Sequence, residues 1–92
     1  MVVISAKLKL YISYATSLKD KRQIRQSIIA KVRQKFNATI AEVDTQDLHQ
    51  TLTLGVAVVS GDGRHARQMV DEVVRFIEDN TEAELTEVDY AN

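Results

Sequence analysis

Residues 2 to 14 alternate in character: Val2, Ile4, Ala6, Leu8, Leu10 and Ile12 point one way, and Ser5, Lys7, Lys9, Tyr11 and Ser13 the other. A period of two with one apolar face predicts a half-buried strand. The period then changes. Ser17-Leu18-Lys19-Asp20 has the form of a capping box, with the Ser17 hydroxyl accepting from the third helical amide and Asp20 supplying negative charge where a helix start favours it. Ile24, Ile28, Ile29, Val32 and Phe36 follow at spacings of three and four, which predicts a helix from Leu18 to Phe36 with Asn37 as a left-handed terminator. Ala38 to Asp44 reads as a second strand. Its Ile40 and Val43 have opposite parity, so it either bulges or is covered on both faces. Across the polar turn Thr45 to His49 lies Gln50 to Ser60, with Leu52, Leu54, Val56 and Val58 on one face and Thr51, Thr53, Gly55, Ala57 and Val59 on the other, completing a hairpin. Gly61-Asp62-Gly63 interrupts the alternation, with Asp62 as a cap. Ala66, Met69, Val70, Val73, Val74 and Ile77 then trace a second helical stripe to Asn80. Ala83 to Tyr90 is an edge strand whose acids discourage further pairing.

Strand, helix, strand, strand, helix, strand within 92 residues is the α+β order of a ferredoxin-like sandwich. It predicts a single domain with a four-stranded antiparallel sheet, two helices on one face and the other face open. Right-handed crossovers put the first strand between the third and fourth, with the second outside the third. The start of the first helix, the hairpin turn and the end of the second helix then share one end of the molecule. Lys19, Lys21, Arg22 and Arg25 are accordingly expected near Asp44, Asp47, His49, Glu78 and Asp79.

Composition narrows the chemistry. The chain has no cysteine, which excludes disulfides, thiol nucleophiles and sulfur-ligated zinc and fits a reducing compartment, the cytoplasm by default. No stretch approaches a membrane span, and no basic region precedes the first apolar run. The net charge of -1 conceals a segregation: up to residue 41, nine cations face the single anion Asp20, while from Glu42 onward three cations face twelve anions. Such asymmetry marks either an anionic partner for the basic part or two oppositely charged elements packed side by side.

Two surfaces follow as candidates. At 100° per residue, Lys21 and Arg25 fall in the same arc as Ile28 and Val32, an unusual place for cations. Either their stems cross the core edge and their heads reach water or nearby acids, or Lys19, Lys21, Arg22 and Arg25 capture phosphate at a helix start. On the open sheet face, Lys7, Lys9 and Tyr11 combine cations with a stacking surface, as single-stranded RNA binders do. The neighbouring Thr53, Gly55, Ala57 and Val59 equally suit burial in a homodimer. His49 with Asp44 and Asp47 is a weak metal or acid-base constellation, and Gly61-Asp62-Gly63 is too short for a phosphate loop. No catalytic residue, cofactor or metal is assigned.

Ser17 to Arg22, Phe36-Asn37, Ala41-Glu42-Val43-Asp44, Gln46-Asp47-Leu48 and Leu54 to Ser60 stand in the order found in small bacterial YlxP-like proteins, a family of unknown function that this chain resembles over nearly its whole length. Phe76-Ile77-Glu78 and Ala83-Glu84-Leu85 match the family's end. The resemblance implies a ferredoxin-like domain and, through the frequent encoding of members beside translation and ribosome-maturation factors, a role near RNA or the ribosome. His49 stands where the family tends to have tryptophan, and Arg25 where it tends to have an apolar residue. The resulting expectation is a non-enzymatic accessory protein, associated with ribosomal RNA or the ribosome through Lys19, Lys21, Arg22 and Arg25. The alternative is a homodimeric protein-interaction or small-ligand-binding module.

Overall fold

Even-numbered residues of the first segment do turn inward: Ala6, Leu8 and Leu10 are buried in β1 (Val2–Tyr11), while Lys7, Lys9 and Tyr11 face outward. The computed structural model describes residues 1–91. β1 is followed by α1 (Leu18–Lys35), β2 (Thr39–Glu42), β3 (Thr51–Ser60), α2 (Gly63–Asp79) and β4 (Glu84–Ala91). The strands form one antiparallel sheet in the order β2-β3-β1-β4, the ferredoxin-like topology predicted from the element order. Ala66, Val70, Val73 and Ile77 of α2 and Ile28 and Val32 of α1 close over Leu8, Leu10, Leu52, Leu54, Val56 and Val58. Each fully buried Leu, Ile or Val side chain contributes on the order of 1.5–3 kcal/mol, so this aliphatic layer holds the helices to the sheet without tryptophan.

The helix starts follow the sequence closely. The Asp20 amide donates to the Ser17 hydroxyl at 3.1 Å, and the Arg64 amide to the Asp62 carboxylate at 3.0 Å. Asp20 reaches one residue beyond the expected box and accepts from the Thr16 amide and hydroxyl at 3.0 and 2.6 Å. Those bonds hold its carboxyl below the usual range.

Several boundaries differ. β1 ends at Tyr11, although Ile12 stays buried and its amide donates to the Gln50 carbonyl at 2.8 Å. α1 ends at Lys35 with Phe36 as an extended cap, so Asn37 is no left-handed terminator. Among the described non-glycine residues, positive φ occurs only at Asp44, at 67°. The parity question in β2 resolves without a bulge, the pairing with β3 running on in register and apolar residues standing on both faces. Ile40 and Glu42 face the helices, while Ala41 and Val43 face the open side, Val43 lying over Gly55 and donating its amide to the Thr53 carbonyl at 2.8 Å. The irregularity of the sheet lies instead between β1 and β4, where the register shifts at Lys9/Leu10 and the Thr86 hydroxyl donates to the Lys9 carbonyl.

Candidate functional site

Lys21 and Arg25 meet a carboxylate that the open-ended parity of β2 had concealed. Glu42 points to the helix layer and accepts from Lys21 Nζ at 2.8 Å and from Arg25 Nη1 at 2.9 Å. Lys21 Nζ also donates to the Thr45 and Thr51 carbonyls at 2.6 and 3.2 Å, satisfying all three ammonium protons. Its side chain is 1 % exposed and that of Glu42 4 %. Burial by itself pushes the Glu42 carboxyl up, but the hydrogen bonds and positive charges of Lys21 and Arg25 outweigh it, and the group settles below the usual carboxylate range. Lys21 therefore offers nothing to an external phosphate: it ties α1 to the β2–β3 connection from within, which corrects its place in the expected anion site. Arg25 keeps a quarter of its side chain exposed while holding Glu42.

Outside this buried pair, α1 presents an unbalanced surface. Lys19, Arg22, Lys31, Arg33 and Lys35 form no ion pair among the described residues, and the helix's only acid, Asp20, is engaged by Thr16. Lys19, Arg22, Gln26 and Arg33 are exposed. They fall within an arc of about 60° at 100° per residue and run for about 21 Å along the axis at 1.5 Å per residue. Beside the row, a groove of about 430 Å³ runs between α1 and β2, with Arg25, Gln26 and Arg33 on one wall and Ala41 and Gln46 on the other. Long cationic and amide side chains spaced along an exposed helix are chemically suited to successive phosphates. Arg33 was not among the expected residues, yet its helical angle, shared with Lys19 and Arg22, was legible in the spacing. Lys35 is spent differently, its ammonium lying 4.9 Å from the Phe76 ring.

The open sheet face is less basic than its lysines suggest. Lys7 Nζ donates to Asp44 at 2.6 Å, and Lys9 lies 3.5 Å from Glu87. Both pairs are exposed, with Asp89 adding further negative charge near Lys7. Tyr11 is exposed at the strand end. Thr53, between Lys9 and the turn, is buried with its hydroxyl lacking a protein partner. Beyond this charged end the face becomes small and apolar.

His49 is exposed and makes no side-chain hydrogen bond among the described residues, while Asp44 is held by Lys7. No group of three or more His, Asp or Glu side chains there is arranged to hold a metal ion, so the His49–Asp44–Asp47 constellation does not assemble as one. No described helix is long and apolar enough to cross a membrane.

Comparison with known proteins bears on the whole of this architecture. Residues 3–90 match the family described as protein of unknown function, DUF503. The chain belongs to that family. The uncharacterized protein YlxP of Bacillus subtilis (strain 168) is 36% identical over 72 residues, which cover 78% of each chain. Among solved structures, a de novo designed protein with a ferredoxin fold, determined by solution NMR, aligns with a TM-score of 0.54 at 16% identity, over 99% of this chain and 84% of that one. Family membership and fold thus agree with the sequence reading; the family brings no assigned activity with it.

Proposed function

We propose that this protein is a non-enzymatic accessory protein that associates with RNA, ribosomal RNA in the first place, through the exposed face of α1. The observation that carries this reading is the row of cations on that helix without internal counter-charge, Lys19, Arg22 and Arg33, with Gln26 between them. Arg25 adds its exposed portion at the groove. Every other cationic cluster considered from the sequence is neutralised: Lys7 by Asp44, Lys9 by Glu87, Lys21 by Glu42. Contacts of this kind neutralise phosphates and do not read bases, so the association is selective for charge spacing more than for sequence.

The test is the salt dependence of binding to a labelled single-stranded ribosomal RNA fragment, followed by fluorescence anisotropy. Each phosphate neutralised on a single strand adds about -0.7 to the slope of log K against log salt. A Lys19→Ala/Arg22→Ala/Arg33→Ala variant is expected to flatten the slope by roughly 2, three contacts' worth, and Lys7→Ala/Lys9→Ala to leave it unchanged. No binding at low salt, or a triple variant that binds like the parent, removes the proposal.

A further inference from the structure

Charge sets the groove between α1 and β2 apart from the other large hollows of the surface. Exposed carboxylates line each of those: Asp44 and Asp89 over the open sheet face, Glu72 and Asp79 between α1 and α2, and Glu82 beside Tyr14. The carboxylate of the α1–β2 groove is Glu42, which is buried and held by Lys21 and Arg25, while Arg33, Gln26 and Gln46 are exposed at the rim. Ile29 and Ala30 of α1 and Ile40 of β2 supply apolar surface between them.

The groove also meets unused backbone. β2 is an edge strand. Val43 donates its amide to the Thr53 carbonyl, and bonded pairs alternate along antiparallel strands, so Ala41 is bonded to β3 while Ile40 turns its amide and carbonyl away from it, toward the groove. A donor and an acceptor thus stand side by side beneath a cationic lip.

We propose that the RNA held by α1 is single-stranded there and turns an unpaired base into this groove. The inference deepens the reading of α1 as a phosphate-binding face and rests on it. At about 430 Å³ the groove lies within the roughly 300–1,000 Å³ of small-molecule sites, room for an unstacked base. Arg25 and Arg33, about 12 Å apart along the axis at 1.5 Å per residue, bracket it with guanidinium planes of the kind on which unstacked bases lie. The base's pairing edge then meets the Ile40 amide and carbonyl. Every base carries a donor beside an acceptor on that edge, so the groove separates unpaired from paired RNA and leaves sequence unread.

Charge alone favours the opposite choice, because a duplex carries about twice the phosphate per length of one of its strands. A duplex keeps its pairing edges to itself and cannot fill the groove, so a preference for the single strand isolates the base contact. An acidic peptide added to the sheet edge would use the same Ile40 groups, but β2 is only four residues long and gives such a strand few bonds.

Fluorescence anisotropy with probes of equal phosphate count separates the contacts: an unstructured RNA strand, the same strand with abasic spacers, and a hairpin duplex. At equal salt the unstructured strand is expected to bind about fivefold or more tighter than either, the low end of what one stacked base is worth, with the same salt slope as the abasic strand. Ala30→Leu fills the groove from an exposed helical position with a residue of similar helix propensity. It is expected to bring the unstructured strand down to the abasic level, to leave the abasic strand unaffected and to keep thermal unfolding near the parent's. Equal binding of the abasic strand, tighter binding of the duplex, indifference to Ala30→Leu, or displacement by poly-glutamate of equal charge as readily as by unlabelled strand overturns the inference while leaving charge-driven binding by α1 in place. No binding of any probe at low salt removes both.

Discussion

Glu42 is the residue on which the basic half and the acidic half of the chain are joined, and its energetics are open to direct measurement. Replacing it by glutamine leaves the Lys21 ammonium buried without a counter-charge, and removing one partner of a buried pair costs about 3–5 kcal/mol. Glu42→Gln is expected to lower stability to urea by an amount in that range. Lys21→Met is expected to cost less, about 2 kcal/mol, because Arg25 still serves Glu42 and apolar volume replaces the stem. The double variant is expected to cost less than the two together, the mark of a coupled pair. The carboxyl titrates lower in the folded chain than in the unfolded one, so its contribution is present above the unfolded value near pH 4.3 and disappears as pH falls through the folded value. Urea midpoints between pH 6 and about pH 3 are expected to fall steeply for the parent and less steeply for Glu42→Gln. The sequence made this cluster half legible. The helical angle of Lys21 and Arg25 demands a receiver, and nearby acids are one of the two that the sequence suggests, but the acids that the topology brings near are Asp44, Asp47, Glu78 and Asp79. Ile40 and Val43 leave the facing of β2 undecided from sequence, and with it the side of Glu42; the parity of Ile40 alone puts Glu42 on the inner side.

At the scale of elements, regular patterns were read well and their ends less so. Both helix starts carry side-chain caps whose chemistry is local, and these were identified to the residue. Helix and strand ends depend on tertiary contacts: Phe36 leaves α1 to pack edge-on against Phe76, with ring centres 5.5 Å apart, an arrangement no local signal contains. The same holds for the bulge at Thr86, which depends on the pairing of segments far apart in sequence. The turn after β2 carries its own constraint, because Asp44 is held at a φ of 67°, where a side chain costs about 1–2 kcal/mol and a β-branched one is most disfavoured. Asp44→Val is expected to destabilise by at least about 1 kcal/mol. Asp44→Gly, which accepts that backbone freely while losing only an exposed ion pair to Lys7, is expected to unfold close to the parent. Chemical denaturation of the two variants side by side separates backbone strain from the ion pair.

Over the whole molecule the segregation of charge has a spatial meaning that the running sequence could not supply. Part of it is internal, since Lys21 and Arg25 are matched by Glu42 across the α1–β2 contact, and Lys7 and Lys9 by acids on the open face. What remains uncompensated is the outer side of α1. Of the two readings weighed from sequence, packed opposite charges hold for Lys21 and Arg25, and the anion-seeking surface is what we propose for other residues of the same helix. The fold was legible because a short chain with two strong periods and one ordering of elements leaves few topologies. The sites were less so because pairing across the sheet decides which charges are spent. The last strand shows the same dependence on the chain's far reaches. Tyr90 packs under the Arg67 guanidinium, 3.6 Å from the ring centre, and its hydroxyl donates to Asp71. Burial and that carboxylate raise the phenol above its ordinary value, so the clasp is intact below about pH 10 and dissolves as pH climbs through the elevated folded value. In a protein without tryptophan, phenolate absorbance is free of indole background. A Tyr90→Phe variant is expected to remove the late component of an alkaline ultraviolet titration, which makes this one ring an intrinsic optical gauge of whether the terminal strand is docked.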